Sequence, residues 1–402
     1  MRKEIINYTL IFLTLSMVAD CRKSYAPPET NSNHLYLSVD GVINTSTNGV
    51  SSFKLTRSQK LTDTFPSIPE LGATVYIKNG AGISYLLADT GSNGIYLSNL
   101  LTLDPAQQYV LYVTTKDGNQ YASDPVTSVQ TPPIDSVYWT VGIDGATGIQ
   151  AVNVLLNTHD PSNNTRLYRW DYTETWEHES IYNSPYLVQN NKIVLVNDST
   201  QHAWHCWSNA SSTNILLGSS AGLSTDIISQ APIARIYQND PRMDNRYSML
   251  VRQYALDAAA YDYWALVQKQ SETLGGLFDI QPSQLIGNMH NLKVPDEPVY
   301  GYISASTVQE KRIFISNQDL LGWKSVPIQK CAQSVYFLDT PEQNDLYTYY
   351  NTDPNFTFYE FGFIPSNLPG GGLIGPLQFL ITPACIDCTF QGGSTIRPPF
   401  WQ

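Results

Sequence analysis

The sequence predicts a mainly β protein, with an N-terminal immunoglobulin-like β-sandwich, a second β-rich domain containing one long helix, and an irregular C-terminal tail. Charged residues make up only 14% of the 402 residues, against about 25% in a typical soluble domain. Tyr occurs 26 times and Phe 13 times, and Tyr is a residue that strands favour. Short apolar–polar alternations separated by Asn-Gly and Asp-Gly pairs are typical of β-hairpins.

The composition also excludes several classes of protein. The net charge of −12 disfavours nucleic acid as a partner, because nucleic-acid binding depends on clustered Lys and Arg. The 25 Gly and 24 Pro, together with the lack of heptads, exclude a long coiled coil. A hydrophobic share of 42% disfavours a disordered chain.

Residues 1–20 are typical of a signal peptide, because a basic end precedes an apolar stretch that is too short and too polar to span a membrane. The stretch ends in Val18-Ala19-Asp20-Cys21, which resembles a bacterial lipobox, although a small residue is usual in place of Asp20. We therefore predict a lipid on Cys21, followed by a flexible tether over residues 21–33. An ordinary secreted protein, or a wrongly assigned start, is the alternative.

The cysteines that remain after Cys21 are even in number, and an exported protein permits disulfides between them. The candidates are Cys206, Cys331, Cys385 and Cys388. Of the three possible pairings, we favour Cys206–Cys331 with Cys385–Cys388. Buried free thiols are the alternative.

Residues 34–132 are predicted to form the immunoglobulin-like sandwich, because about seven short strands fit into this stretch. Two hairpins give the most specific signal. One joins 74–78 to 83–88 through Asn79-Gly80, and the other joins 109–115 to 121–126 through Asp117-Gly118.

Residues 133–402 are predicted to form the second β-rich domain. Its strongest helical pattern covers about residues 257–274, with Asp257 as the N-cap and Gly275-Gly276 at the end. From Ser325 onward, Pro and Gly predict the irregular tail.

The helix is predicted to bury one face against the second β-domain, since apolar positions recur at helical spacing. That face consists of Ala260, Trp264, Val267 and Leu274. Tyr261 lies nearer the opposite side, which makes it a candidate binding residue for a partner.

Two motifs suggest chemistry but have simpler interpretations. Asp89-Thr90-Gly91 resembles an aspartic-protease loop, but that reaction needs two carboxylates and no second such triplet occurs, so a hairpin turn is favoured. Asp160-Pro161 resembles the start of a calcium loop, but Thr165 replaces the expected Gly, so a turn is favoured again.

Other chemistry-bearing residues do not form a recognisable catalytic set. His202, His205 and the cysteines could hold zinc, but exported cysteines usually oxidise. Glu174, Glu177 and Glu179 could supply a glycosidase pair only if their geometry allowed it. Aromatic residues on the predicted strands could stack on sugars, although core packing is the default for about half of them: Tyr168, Trp170, Tyr172, Trp176, Trp204, Trp207, Tyr261, Tyr263 and Trp264.

An ordered set of short motifs spans nearly the whole mature chain: Tyr36–Ile43, Pro133–Val137, Tyr168–Trp176, Cys206-Trp207, Arg246–Ser248, Gly287–Met289, Gly301–Ser306 and Cys385–Thr389. Together they resemble a domain-of-unknown-function family of Bacteroidota lipoproteins, often encoded beside TonB-dependent outer-membrane receptors. The resemblance implies an outer-membrane location and a receptor partner, and it implies no activity.

We therefore expect a non-enzymatic accessory lipoprotein that helps a TonB-dependent transporter to capture a ligand. We expect it on the outer membrane at the cell surface, held by its lipid anchor, with no cofactor, metal, catalytic residue or nucleic acid. No GxSxG, HExxH, P-loop or GxGxxG motif occurs in a suitable context. The rival hypotheses are a secreted hydrolase such as a glycosidase, and a structural or adhesive surface protein.

Overall fold

The structure is a computed structural model that describes residues 35–58, 68–183, 186–189, 192–195, 203–272, 287–320, 322–323, 333–337, 357–365 and 373–401. The predicted signal peptide, the lipidation site Cys21 and the tether lie outside the described residues. Cys331, His202, Leu274 and Gly275-Gly276 lie outside them as well.

The described chain is mainly β, as predicted, and its one α-helix, α1, covers Ala258–Glu272. The strands are β1 (Leu37–Asn44), β2 (Ser52–Arg57), β3 (Ile68–Pro69), β4 (Thr74–Asn79), β5 (Ser84–Asp89), β6 (Ile95–Ser98), β7 (Gln108–Thr114), β8 (Gln120–Ser123), β9 (Val126–Val129), β10 (Ile134–Ile143), β11 (Gln150–Asp160), β12 (Leu167–Glu179), β13 (Tyr186–Gln189), β14 (Lys192–Leu195), β15 (His205–Ser211), β16 (Leu216–Ser219), β17 (Asp226–Tyr237), β18 (Arg246–Ala255), β19 (Met289–Asn291), β20 (Ser304–Ser306), β21 (Val308–Ser316), β22 (Gln333–Phe337), β23 (Thr357–Pro365) and β24 (Leu373–Ile381).

The N-terminal strands form one sheet that closes on itself, so the predicted immunoglobulin-like sandwich is wrong for this region. Eight strands follow one another around the closed sheet in the order β7-β4-β5-β6-β2-β1-β20-β9, and β9 pairs with β7 again. The strand β20 closes the gap by pairing in parallel with β1 on one side and β9 on the other. It comes from far downstream, so the pattern of residues 34–132 could not reveal the closure.

Local signals in this region predict the structure correctly. Both expected hairpins form, β4–β5 around Asn79-Gly80 and β7–β8 around Asp117-Gly118. Alternate residues point into the closed sheet and form its core, including Leu37, Val39, Ile77 and Leu111, which are all buried.

The stretch that brings β20 back depends on Gly301. Its φ is +123°, and a Cβ atom there would lie 1.9 Å from the carbonyl oxygen of Val39. Only glycine fits so close to a neighbouring backbone. The adjacent Tyr300 exchanges backbone hydrogen bonds with β1, donating to Leu37 and accepting from Val39.

Two further sheets pack face to face. The sheet β10-β11-β17 lies against the five-stranded sheet β15-β12-β18-β21, in which β16 also pairs with β12. The buried residues between them include Val152, Val154 and Leu156 from β11, and Trp170 and Met249 from the opposite sheet. A two-layer sandwich is therefore present, in the second part of the chain.

The helix α1 begins where the sequence predicts. The Asp257 carboxylate accepts a hydrogen bond from the Ala260 backbone N–H at 2.7 Å, as an N-cap does. Ala260 and Trp264 are buried, and Val267 packs against the same cluster, so the described part of the predicted face is confirmed.

The C-terminal region is more regular than predicted, since β22, β24 and β23 form an antiparallel sheet in that order. The strands β23 and β24 are rich in aromatic and β-branched residues, which favour strands despite the surrounding Gly and Pro. No helix among the described residues is long and apolar enough to cross a membrane.

The predicted disulfide pairing is wrong. Cys206 on β15 is bonded to Cys388 in the C-terminal segment, with Cα atoms 5.9 Å apart. Each sulfur forms one such bond, so neither Cys206–Cys331 nor Cys385–Cys388 can form. Cys385 also belongs to a disulfide. Spacing along the chain could not reveal these partners, because folding brings the C-terminal segment back to β15.

Candidate ligand-binding site

A cavity of about 980 Å³ opens at one end of the closed sheet, and we call it the end cavity. It is surrounded by the residues just before β1, the end of β2, β3 with the residues that follow it, the turn between β7 and β8, and the segment after β19. Its lining residues are Leu35, Tyr36, Arg57, Pro69, Glu70, Leu71, Lys116, Asp117, Asn119, Tyr121, Val294, Asp296, Glu297 and Pro298.

A chain of polar side chains lines the inner part of the end cavity. Arg57 donates from Nε to the Glu70 carboxylate at 2.5 Å, and both side chains are almost buried. The buried Tyr121 donates its hydroxyl hydrogen to Glu297 at 3.1 Å. Asn291 then donates to the other oxygen of Glu297 at 2.8 Å. These bonds fix the carboxylates and the guanidinium before any ligand arrives.

The charge states of these hydrogen-bonded side chains follow from their surroundings. Burial lowers the pKa of Arg57, but the hydrogen bonds with Glu70 and Tyr121 outweigh burial and the net shift is upward. Burial raises the pKa of Tyr121, and the neighbouring Glu297 raises it further while Arg57 opposes the shift. At physiological pH, Arg57 is therefore a charged guanidinium and Tyr121 beside it is a neutral phenol.

The turn between β7 and β8 adds a second polar group to the cavity wall. The Asp117 carboxylate accepts from the Thr115 hydroxyl and from Asn119 Nδ2, the latter at 2.8 Å. The hydrogen bond from Thr115 lowers the pKa of Asp117 more than burial raises it. With Arg57 paired to Glu70, the remaining lining charges are Lys116 against Asp117, Asp296 and Glu297.

Apolar side chains form the outer part of the end cavity. Leu35, Leu71 and Val294 are each exposed although they are large and apolar. A concave space with apolar walls and a few fixed polar groups is the usual form of a small-molecule site. Because the charged lining residues are mainly acidic, the end cavity favours a ligand that donates hydrogen bonds from hydroxyl groups or carries positive charge.

Comparison with known families assigns the chain to a family. The family model described as "Domain of unknown function (DUF4249)" matches residues 22–312, which is more than half of the chain. The chain belongs to this family. The matched span contains the closed sheet and all residues that line the end cavity.

Other comparisons add little. No curated protein matches the chain. Among solved structures, one that it resembles is a "Biofilm associated protein - B domain", at 8% identity and a TM-score of 0.13, over 71% of this chain and 87% of that one. A TM-score this low carries no argument about fold or function.

The motifs that resemble catalytic or calcium loops are turns. Asp89 ends β5, and its exposed carboxylate accepts from the backbone N–H groups of Gly72 and Gly91, which lower its pKa. An aspartic-protease pair would instead share a proton. The Asp160 carboxylate accepts from Ser162, Asn164 and Thr165, and closes its own turn.

The glutamates of β12 do not converge. Glu174 is buried and accepts from Arg242 at 2.6 and 2.8 Å and from the Tyr247 hydroxyl at 2.7 Å. Glu177 lies 2.6 Å from His205 Nε2. Because side chains alternate along a strand, Glu174 and Glu177 point to opposite faces of the sheet. Glu179 is exposed.

The zinc hypothesis loses three of its ligands, because Cys206 and Cys388 are bonded to each other and Cys385 also belongs to a disulfide. Among the described residues, no group of three or more His, Cys, Asp or Glu side chains is placed to hold a metal ion.

The aromatic residues of the sequence mainly form cores. Tyr168 and Trp170 are buried in the sandwich, with rings stacked 6.0 Å apart. Tyr263 and Trp264 lie on the buried face of α1. Tyr261 is half-buried and packs against the same helix cluster, so little of it is available to a partner.

The sequence did not reveal the end cavity. Its residues come from positions 35 to 298, and none belongs to a motif that predicts a binding site. The one local signal is the turn Asp117-Gly118, which predicts the hairpin but not the cavity beside it.

Proposed function

We propose that this protein is a non-enzymatic lipoprotein of a Bacteroidota outer membrane, anchored through Cys21, that captures a small ligand in the end cavity for a TonB-dependent transporter. The observation that carries the proposal is the end cavity itself, with its apolar outer wall and its fixed polar chain from Glu70 to Glu297. Such a site binds a ligand without needing a catalytic group.

The position of the cavity relative to the proposed anchor supports this function. Leu35 and Tyr36 line the cavity, and Leu35 comes only 14 positions after Cys21. A fully extended chain spans at most roughly 3.6 Å per residue, so the cavity entrance would lie within about 50 Å of the lipid. A membrane-embedded transporter would therefore be within reach of a ligand held there.

Three acidic residues that the sequence singles out as candidates for chemistry are already engaged in internal contacts. Glu174 is held by Arg242 and Tyr247, Asp160 caps a turn, and Glu177 is paired with His205. A glycosidase needs two carboxyl groups on either side of one bond. The glutamates of β12 do not meet that requirement.

The test combines a pull-down with chemical analysis of the bound ligand. We expect the tagged full-length lipoprotein, purified in mild detergent, to bring down a TonB-dependent transporter and to retain a small molecule detectable by mass spectrometry after denaturation. Leu71→Asp, at the exposed wall of the cavity, should lose the small molecule. Leu86→Asp is a matched control, because Leu86 is also exposed but lies on β5 outside the cavity.

Each part of the proposal can fail separately. If an unrelated tagged lipoprotein enriches the same transporter equally, the partner is wrong. If the Leu71→Asp and Leu86→Asp proteins retain the small molecule equally, the end cavity is not the capture site.

A further inference from the structure

A second, smaller cavity of about 360 Å³ lies between the closed sheet and the five-stranded sheet, and we call it the charged cleft. Both sheets contribute ionisable side chains to it. They are Asp40 and Lys54 from β1 and β2, Arg169 and Asp171 from β12, Arg252 and Tyr254 from β18, and Glu310 from β21.

One part of the charged cleft is already satisfied by internal bonds. The Asp171 carboxylate accepts from Arg252 Nε at 2.6 Å and from the Tyr254 hydroxyl at 2.9 Å. Arg252 also donates to the Thr173 hydroxyl at 3.1 Å. The charges of Arg252 and Asp171 therefore neutralise each other, and the neutral Tyr254 hydroxyl occupies a second oxygen of Asp171.

Arg169 has more hydrogen-bonding capacity than its protein contacts use. Its guanidinium carbon lies 3.8 Å from the centre of the Trp264 ring, which fixes the plane of the group. Its ion pair with Asp40 is long, at 3.5 Å. The side chain is only 13% exposed. A guanidinium stacked on an aromatic ring keeps its edge free for the paired oxygens of a carboxylate.

Groups of the opposite sign are also available in the same cleft. Asp40 is 56% exposed, and its contact with Arg169 is the long one just described. Glu310 is exposed, lies opposite Arg252 in the sheet and has Arg312 as a charged neighbour. The charged lining residues balance at three cations and three anions. A purely anionic ligand would meet repulsion from Asp40 and Glu310, and a purely cationic one from Arg169 and Lys54.

We propose that the charged cleft binds a small zwitterion, an amino acid or a short peptide end with a free ammonium and a free carboxylate, with the carboxylate on Arg169 and the ammonium near Asp40 and Glu310. This site is distinct from the end cavity, and its ligand would link the closed sheet and the five-stranded sheet. The cleft has room for only a small molecule.

The probe is glycylglycine, titrated into the full-length lipoprotein by isothermal calorimetry. The comparison compounds are N-acetylglycine, which keeps only the carboxylate, glycinamide, which keeps only the ammonium, and N-acetylglycinamide, which keeps neither. We expect glycylglycine to bind most tightly, with each single-charge compound weaker by about tenfold, because each loses one charge-assisted hydrogen-bonding partner.

The variants separate the two ends of the ligand. Arg169→Gln should weaken the binding of glycylglycine and N-acetylglycine by about tenfold or more and should not weaken that of glycinamide, which Arg169 repels. Asp40→Asn should weaken the binding of glycylglycine and glycinamide and should not weaken that of N-acetylglycine, which Asp40 repels. Lys78→Gln is the control, because Lys78 is exposed on β4 outside both cavities. It should leave the affinities for glycylglycine, N-acetylglycine and glycinamide unchanged.

Arg169→Gln removes the contact with Trp264, so its melting temperature must be measured beside the affinity. Asp40→Asn changes an exposed side chain and keeps the test decisive if Arg169→Gln unfolds. Equal affinity for glycylglycine and N-acetylglycinamide overturns the proposal. Loss of glycylglycine binding in Glu297→Gln, but not in Asp40→Asn, would place this ligand in the end cavity, overturning the charged-cleft assignment while leaving the proposed capture function standing.

Discussion

Cys206 and Cys388 are separated by 182 positions in the chain, and their disulfide fixes the C-terminal segment to β15. Backbone hydrogen bonds between Trp207 and Ser394 continue the same contact, each N–H donating to the other residue's carbonyl at 2.9 Å. The segment after β24 is therefore part of the folded sandwich, although the sequence predicts an irregular tail there.

The first prediction concerns the disulfides. Peptide mapping of the native protein without reductant should yield a Cys206–Cys388 peptide and leave no reactive thiol at Cys385. Of the cysteines that remain, Cys21 is needed for the lipid, so we expect Cys331 to be the partner of Cys385. Alkylation of either Cys385 or Cys388 in native protein would contradict this.

Cys388→Ala should lower the free energy of unfolding by roughly 2–5 kcal/mol, because a long loop is no longer closed in the unfolded chain. Denaturant unfolding measures the loss. The matched control is the Cys206→Ala/Cys388→Ala double variant, which should lose about the same amount, since both proteins lack the same bond. An unchanged free energy of unfolding in both proteins would show that the bond does not stabilise the fold.

Features that depend on neighbouring residues could be predicted from the sequence, and features that depend on distant segments could not. Asn79-Gly80 specifies a hairpin because its backbone preference is local. Asp257 likewise predicts the start of α1, because its carboxylate reaches an N–H group three residues away. In contrast, Gly301 shows its role only when the Val39 carbonyl is placed against it.

The candidate sites fail to appear in the sequence for the same reason. The polar chain of the end cavity joins Glu70 and Arg57 to Glu297, and no periodicity relates these positions. In the charged cleft, Arg169 would be taken for an ordinary exposed residue of an alternating strand. Its stacking on Trp264 depends on how α1 returns to β12.

The second prediction concerns the buried face of α1. Trp264→Ala should lower the free energy of unfolding by roughly 3–5 kcal/mol, because a large buried ring is replaced by a cavity. Tyr261 lies on the same helix but is half-buried. Tyr261→Ala should therefore lower the free energy of unfolding by about 1 kcal/mol or less. Thermal or urea unfolding compares the two proteins. Equal losses would mean that the helix face has been placed wrongly.

The third prediction concerns acid stability. Hydrogen bonds from Ser162, Thr165 and Asn164 overcome the effect of burial, which raises the pKa of Asp160, and lower that pKa to about 2. The side chain of Asp in an unfolded chain has a pKa of about 3.9. Between these two pKa values, the folded state therefore binds fewer protons than the unfolded state. The stabilisation is complete above about pH 4 and is lost as the pH falls to about 2.

Asp160→Asn removes this titration, so its free energy of unfolding should change less than that of wild type between about pH 4 and pH 2. Asp104→Asn is the control, because Asp104 also accepts hydrogen bonds within a turn but lies outside the sandwich. Urea unfolding at several pH values measures the slopes. Parallel curves for wild type and Asp160→Asn would show that this carboxylate does not govern acid stability.

The last prediction concerns the anchor, on which the proposed function depends. Cys21 should carry a lipid and keep the protein in the membrane fraction, because each buried CH₂ group of an acyl chain contributes about 0.8 kcal/mol to membrane binding. Metabolic labelling with a fatty-acid analogue should mark wild type and leave Cys21→Ala unmarked. The variant should also move to the soluble fraction while keeping the melting temperature of the wild-type protein, since Cys21 precedes the first described strand, β1. Asp20→Ala restores a small residue before Cys21 and should be labelled at least as fully as wild type. Equal labelling of wild type and Cys21→Ala would show that the lipid is elsewhere or absent, and the distance argument that places the end cavity near a transporter would then fail.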